Sequence, residues 1–404
     1  MIIMKYRDMG ARIDWKASAL GFGCMRLPKK KFLLFFKKAD EEESIRIIRY
    51  AIDHGVNYVD TAYTYEGSKS EIIVGKALKD GYREKVHLVT KLPIWKVKKR
   101  EDFDKYLDEQ LGKLDTDHLD IYLFHALNKK RFEKLKDLNL LEKMEEAKAA
   151  GKIKEYGFSF HDSLEVFKEI INYHEWNMCQ IQYNYLDAAT DFQAGTEGLK
   201  YAASKGVAVV IMEGIRGGKL ADPPEEVKKI MKESKADRTP VDWALQFLWN
   251  KPEVSCVLSG MGSMKMVKEN IDSAKNSGIN SLTEHEEQVL ELVGNVYKES
   301  IVIPCTKCGY CLDECANGVA IPDIFDIVNN YASDKDLKKA QKRYNKLVKD
   351  SAKAKKDDPN GAPEVCIQCG KCIESCPQGI EIPEVLKKVK AFFDGDKEFE
   401  ELFK

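Results

Sequence analysis

The sequence predicts an α/β protein, a (β/α)8 TIM barrel followed by a small, mainly α-helical domain. Three observations lead there. Residues 1–282 alternate apolar strand-like runs with amphipathic helix-like segments, the pattern of a parallel sheet built from βα units. The strand-like runs number eight, and eight such units in under 300 residues fit a closed barrel better than an open sheet. From Pro304 onward the chain changes to cysteine-rich loops joined by lysine- and aspartate-rich helical stretches. The expected boundaries are 1–282 for the barrel, 283–303 for a helical connector and 304–404 for the second domain.

The expected strands are Ala19–Met25, Val56–Thr61, Val86–Lys91, Leu119–His125, Ile153–Phe160, Cys179–Tyr183, Val207–Met212 and Val254–Ser259. Between them the apolar spacing predicts helices such as Asp40–His54, Ser70–Lys79, Asp102–Leu114, Leu140–Ala150 and Ser163–Tyr173. The run KKKFLLFFKKAD (Lys29 to Asp40) falls in the loop after the first strand. Its five apolar residues are candidates for a substrate lid, a docking surface, or packing beneath their own loop. Lys+Arg of 65 against Asp+Glu of 66 gives no bulk attraction to nucleic acid. The start MIIMKYRDMG lacks the apolar core of a signal peptide, and no apolar run reaches membrane-spanning length. A cytoplasmic protein without membrane or nucleic-acid partners is expected.

Eight of the 11 cysteines form two copies of one pattern. Cys305, Cys308, Cys311 and Cys315 are spaced C-x2-C-x2-C-x3-C, and Cys366, Cys369, Cys372 and Cys376 repeat the spacing, followed by Pro377. The repeat extends to Gly309, Gly318, Ile321 and Pro322, matched by Gly370, Gly379, Ile382 and Pro383. Three closely spaced thiolates wrap one side of a cuboidal iron–sulfur cluster, and a fourth completes its shell. Zinc ribbons favour isolated C-x2-C pairs, and disulfides need an oxidising compartment. Two [4Fe–4S] clusters are therefore expected. The 50 residues between the motifs read as helical (Ile324–Tyr331, Leu337–Val348), so the module resembles an alpha-helical ferredoxin. Lys335 to Lys356 carries net positive charge, either a solvated helix face or a dock for an acidic electron carrier. The remaining cysteines, Cys24, Cys179 and Cys256, sit in apolar stretches and read as core.

In a βα barrel the reacting groups sit at the carboxyl ends of strands. Asp60 ends the second expected strand, Lys91 the third and His125 the fourth, and Tyr65 follows Asp60 by five residues. Four ionisable groups from three consecutive strands thus converge on one rim.

With these residues in place, residues 1–280 resemble an aldo/keto reductase, through LGFGCMRLP, NYVDTAYTYEGSKSE, VTKLP, LFHAL and GKIKEYGFS. The resemblance implies a catalytic tetrad of Asp60, Tyr65, Lys91 and His125. A free tyrosine, pKa ~10, is a poor acid near neutrality. Lys91 beside it favours the phenolate, and Asp60 holds the lysine. Tyr65 is then the proton donor to the developing alkoxide, and His125 orients the carbonyl. For the nucleotide the resemblance implies Ser159 and Gln180 at the nicotinamide carboxamide, with Phe160 where the family has Asn. Met212 takes the place of a ring-stacking aromatic. Glu269 and Asn270 match adenine contacts, while Gly260 and Met266 replace the usual 2′-phosphate cations, leaving Lys265 or Lys268 for that task. The cofactors implied are two [4Fe–4S] clusters and NADP or NAD, with a slight preference for NADP.

A carboxy-terminal extension of this kind marks a recognisable subfamily. By analogy with two-cluster ferredoxins, Cys376 completes the shell begun by Cys305, Cys308 and Cys311, and Cys315 that of Cys366, Cys369 and Cys372. Three readings follow. One is an oxidoreductase on a carbonyl/alcohol pair whose clusters relay single electrons to or from ferredoxin or another one-electron carrier. Another is a conventional carbonyl reductase with structural or redox-sensing clusters. The last is an electron-transfer or regulatory subunit with a non-catalytic barrel.

Overall fold

The structure, a computed structural model, describes residues 3–32, 36–188, 192–356 and 358–403. The chain divides into two compact units. One comprises the residues up to Ile215 together with Val241–Thr283; the other comprises Arg216–Pro240 together with the chain from Glu284 onward.

The first unit is built on eight parallel strands: β1 (Leu20–Gly23), β2 (Tyr58–Asp60), β3 (His87–Leu92), β4 (Leu119–Leu127), β5 (Ile153–Phe160), β6 (Met178–Gln182), β7 (Ala208–Met212) and β8 (Val254–Ser259). They close into a barrel in sequence order, β8 pairing with β1 through Val257 opposite Leu20. All eight expected strands are present, and β4 runs on past His125 to Leu127. Cys179 and Cys256 are fully buried on their strands, as is Cys24 just after β1.

Side chains alternate across the barrel wall. Tyr58, Val89, Ile121, Leu123, Met178 and Val210 fill the interior, while their sequence neighbours pack outward against the helices. An amino-terminal hairpin not anticipated from the sequence, Tyr6–Met9 with Ile13–Ser18, adds Met9, Ile13 and Ala17 to the interior layer. Ala11 donates its N–H to Gly206 O just ahead of β7, so the hairpin covers the end of the barrel opposite the strands' carboxyl ends. Arg7 secures it by donating to the carbonyls of Lys251, Trp249 and Val254. Lys29–Phe32 pairs antiparallel with Phe36–Ala39. The middle of that apolar run, Leu33–Phe35, lies outside the described residues, and with it the expectation of a lid or dock.

The second unit is helical and internally repeated. Each cysteine loop carries a left-handed residue two after its first cysteine, Lys307 (φ 56°) and Gln368 (φ 55°). A left-handed glycine follows in each, Gly309 and Gly370, opening the short helices Tyr310–Glu314 and Lys371–Ser375. Helices Ile321–Asp334 and Ile382–Phe393 then start with Pro322 and Pro383 in their first turns, where proline costs no hydrogen bond. Helix Leu337–Asp350 fills the spacer. The stretch Arg216–Pro240 groups here although it follows β7. Its helix Glu225–Glu233 packs along Glu284–Ser300, and Arg238 bonds Glu286 at 2.7 Å. Among the described residues no helix is long and apolar enough to cross a membrane.

Gly157 marks the tightest point of the barrel wall, since a Cβ built there lies 2.0 Å from Met178 O on β6. Gly157→Ala is expected to cost the barrel about 1–3 kcal/mol by overpacking, read as a lower thermal midpoint for the barrel transition.

Candidate active site and cluster loops

The strand register brings two of the four expected catalytic groups, Asp60 and Lys91, to one rim. Asp60 on β2 stands opposite Gly23 on β1 and Val89 on β3, and Lys91 two residues further on β3 stands opposite Leu123 on β4. Lys91 is 1 % exposed, and its ammonium donates to Asp60 Oδ1 at 2.7 Å, Thr61 O at 2.8 Å and Tyr65 OH at 3.3 Å. Burial pulls the Lys91 pKa down and the Asp60 pKa up, each partly opposed by the other's charge.

Tyr65 is delivered by a strained turn. Glu66 and Ser68 hold left-handed backbone without being glycine, and the half-buried Glu66 is tied to Lys29 at 3.3 Å. The Tyr65 ring meets His125 edge-on at 5.9 Å, and Trp95 flanks His125 at 5.1 Å. His125 lies where β4 slips register, followed by left-handed Ala126. Ala126 is pinned from both sides: its N–H donates to Ser159 Oγ at 2.7 Å, and its carbonyl accepts from Arg131 at 2.7 Å. Burial, with Lys91 and Arg131 nearby, drives the His125 pKa well down, so its imidazole is neutral at physiological pH.

Beneath the rim lies a buried network that sequence reasoning missed. Gln110 donates to Thr90 Oγ1 and to Lys91 O, both at 3.1 Å, and accepts from Tyr122 OH at 2.7 Å. Thr90 in turn donates to Glu71 at 2.7 Å. The network fixes the end of β3. Glu71, inside the GSKSE run, and Thr90, inside VTKLP, lay in stretches with a sequence signal, whereas Gln110 sits in an ordinary amphipathic helix.

The expected nucleotide residues are divided. Ser159 and Gln180 are register partners on β5 and β6, both 1 % exposed. Gln180 lies by Asp60, and its Oε1 has no hydrogen-bond partner among the described residues. That orphaned acceptor fits a carboxamide N–H. Phe160 packs outward on Phe158 and Phe167, so it does not face the site. Met212, half-buried, ends β7 opposite Gln182. Gly260 is in the loop after β8, beside the Arg26 side chain. Asn270 is buried and donates to Ser259 Oγ at 2.7 Å, whereas Glu269, Lys265 and Met266 are exposed on helix Met264–Lys275. Lys268 is drawn over the Tyr50 ring at 5.6 Å, leaving Lys265 as the cation in that helix's first turn.

In the second unit the two cysteine motifs interleave. Among the described residues no three His, Cys, Asp or Glu groups converge at single-ion distances. Instead Cys315 lines one cavity with Cys366, Cys369 and Cys372. The Cys311 thiol is pushed up by burial, then by Cys308, Cys305 and Cys376, and also by Cys372 of the other loop. Backbone N–H groups point at sulfur in both loops, from Lys307 to Cys305 and from Gln368 to Cys366, each at 3.4 Å. Val319 N–H reaches Cys315 at 3.4 Å, and backbone N–H groups of Ile380, Gln378 and Gly379 face Cys376. Thiolates with such donors around an apolar cavity suit an iron–sulfur cluster.

His161, half-buried, is pulled down to about 3 by desolvation and Arg131. Between pH ~6.5 and 3 the unfolded chain therefore takes up a proton at this residue that the folded chain refuses. Stability should fall as pH drops through that window, by about 1.4 kcal/mol per pH unit for each such group. His161→Asn is expected to flatten the acid limb of the barrel's thermal midpoint between pH 6 and 4.

Comparison with known proteins agrees with this geometry. Residues 19–287 match the aldo/keto reductase family, and residues 304–381 match a 4Fe-4S dicluster domain. An uncharacterized oxidoreductase, YqkF of Bacillus subtilis, is 26% identical over 71% of this chain and 96% of its own. L-galactose dehydrogenase of Arabidopsis thaliana is 26% identical over 70% and 93%. Among solved structures, aldo-keto reductase AKR11C1 of Bacillus halodurans is 29% identical with a TM-score of 0.59, covering 72% of this chain and 96% of its own. An aldo-keto reductase of Klebsiella pneumoniae in complex with NADPH, 22% identical, shares the fold with a TM-score of 0.59, covering 72% and 96%. A closed eight-stranded barrel, an ion-paired lysine and tyrosine at its rim, and a dicluster domain thus occur in one chain, which belongs to the aldo/keto reductase family and is an oxidoreductase of that type.

Proposed function

We propose that the protein interconverts a carbonyl and an alcohol at the barrel rim, and that the second unit exchanges single electrons with an external carrier. The observation that carries the first part is the 3.3 Å contact of the Lys91 ammonium with Tyr65 OH, backed by Asp60 at 2.7 Å. Bound NAD(P)H would supply the hydride, and paired [4Fe–4S] clusters would supply one-electron exchange. Everything else falls to this chain's own groups. Lys91 stabilises negative charge on the Tyr65 oxygen, so the phenol is a better acid toward a developing alkoxide. Asp60 keeps the ammonium in place and charged. Neutral His125 presents an N–H to the carbonyl oxygen without adding full charge beside Lys91. His125 is buried, with Trp95 beside it at 5.1 Å.

Gln180 Oε1 and Ser159 Oγ would hold the nicotinamide carboxamide. The amino terminus of helix Met264–Lys275, after the Gly260–Gly262 loop, would face phosphate, with Lys265 in its first turn and Arg26 beside Gly260 as cations. In the second unit Cys305, Cys308, Cys311 and Cys376 would hold one cluster, and Cys366, Cys369, Cys372 and Cys315 the other.

One observation favours a structural role for the clusters beside the relay. Cys311 and Cys372 belong to the second unit's apolar core, with Cys305, Cys315, Cys366 and Cys376 packed against it. Loss of iron should then melt this unit.

Tyr65→Phe is expected to lower carbonyl reduction by about 10²–10⁴-fold with unchanged circular dichroism and iron content. Retained activity would return the barrel to a binding role. For the crossed ligands, Cys315→Ala should bleach the cluster of Cys366, Cys369 and Cys372 more than its neighbour, as read by EPR after anaerobic reduction; the reverse order would refute the crossing.

A further inference from the structure

The two cysteine loops share a backbone, so positions related by the repeat can be compared directly. Thr306 in the first loop is 4 % exposed, whereas its counterpart Ile367 in the second is 65 % exposed, among the most exposed large apolar side chains described. The position after the left-handed glycine is half-buried Tyr310 in the first loop and exposed Lys371 in the second. Ile367 borders the cavity lined by Cys315, Cys366, Cys369 and Cys372, so it stands at the edge from which a partner would approach that cluster.

Helix Leu337–Asp350 leads to the same place. Its Tyr344 stacks on Phe393 and donates to Glu364 at 2.9 Å, two residues ahead of Cys366. Ser351, just past its end, accepts from Ala362 N–H at 2.8 Å. The carboxyl half of this helix is therefore fixed to the strip that feeds the second loop. Its buried side is Ala340 and Tyr344, and its outer side carries exposed Lys342, Lys346 and Lys349, with exposed Lys353 following. Among the described residues none of these four lysines has an ion-pair partner, whereas Lys339 and Arg343 on the same helix are paired to Asp334 and Asp326. From Leu337 to Lys356 nine Lys and Arg residues stand against one acid, Asp350, in a chain whose overall charge is -1. The segment therefore carries a local excess of positive charge.

We infer that Ile367 and Lys371 of the second cysteine loop, with Lys342, Lys346, Lys349 and Lys353, form the docking face for an acidic one-electron carrier protein. The inference rests on the electron-relay reading above. It adds that carrier and protein exchange electrons at the cluster of Cys366, Cys369, Cys372 and Cys315. In the transfer a reduced carrier loses one electron and that cluster gains it; no bond or proton moves. Opposed charges steer the encounter and fix its orientation, and a small apolar contact at Ile367 expels water from the path. A polyanion such as nucleic acid would meet the same lysines but has no use for Ile367.

The test uses the full-length, cluster-loaded protein, mixed anaerobically with a pre-reduced acidic [2Fe–2S] ferredoxin in a stopped-flow instrument. Wild-type cluster reduction should slow as salt rises, because screening weakens steering. The variant K342E/K346E/K349E/K353E should react at least tenfold more slowly at low salt and lose the salt dependence. Ile367→Ser should slow the reaction while keeping it. Iron content, EPR spectra and reduction by photoreduced deazaflavin should match wild type in both. If the charge-reversed protein loses iron, the corresponding Lys→Gln set replaces it. Equal rates and equal salt dependence in wild type and lysine variant would overturn the docking face and leave the relay standing. Failure of ferredoxin to reduce wild-type clusters that deazaflavin reduces would overturn the relay itself, and the docking face with it.

Discussion

A lysine ammonium buried in the wall of a barrel is the constraint on which the first unit turns. Removing such a charge from water costs several kcal/mol even after relaxation, and only close, well-aimed partners offset it. Lys91 has Asp60, Thr61 O and Tyr65, three oxygens on β2 and the turn that leaves it. These partners hold only if β2 and β3 keep their register and the turn keeps its left-handed residues. The polar network of Gln110, Thr90, Glu71 and Tyr122 makes the same demand from below. Stability is given up locally so that a phenol can sit beside a cation at a dry rim. The bulk of the barrel, with its interior layer and helical outer shell, supplies the compensation.

The second unit solves a different problem. Its core contains groups that reach their final chemistry only with iron, so the protein must present thiols and backbone donors in a form set by the chain alone. Left-handed glycines at Gly309 and Gly370, and the left-handed residues Lys307 and Gln368 before them, turn the N–H groups toward sulfur. The repeat then duplicates the device. What differs between the copies is their surroundings, Thr306 being buried where its counterpart Ile367 is exposed.

Much of this could be read from the sequence because period and spacing are local. The eight strands follow from apolar runs of the right length, and the rim groups follow from the rule that strand ends carry the chemistry. Spacing alone identified the cysteine sets. The misses are all long-range. The amino-terminal hairpin is short, and nothing in YRDM or IDWKAS reveals that Met9 and Ile13 point into a barrel. Phe160, which stands where the family has Asn, is turned outward onto Phe167 by its strand, and the sequence alone does not show that direction. Gln110 looks like any surface residue until helix Asp102–Leu114 is packed against β3. The allegiance of Arg216–Pro240 depends on a partner helix that begins more than forty residues later.

That last feature bears on how the molecule comes into being. A chain emerges from the ribosome amino end first, at roughly 5–20 residues per second. Helix Glu225–Glu233 is therefore made before Glu284–Ser300 exists to receive Val227 and Met231. For several seconds the nascent barrel carries a stretch whose apolar face has no home. The two units are not beads on a string: their order of completion is interlocked, and a gene cut between them would strand one unit's helix inside the other's reading frame.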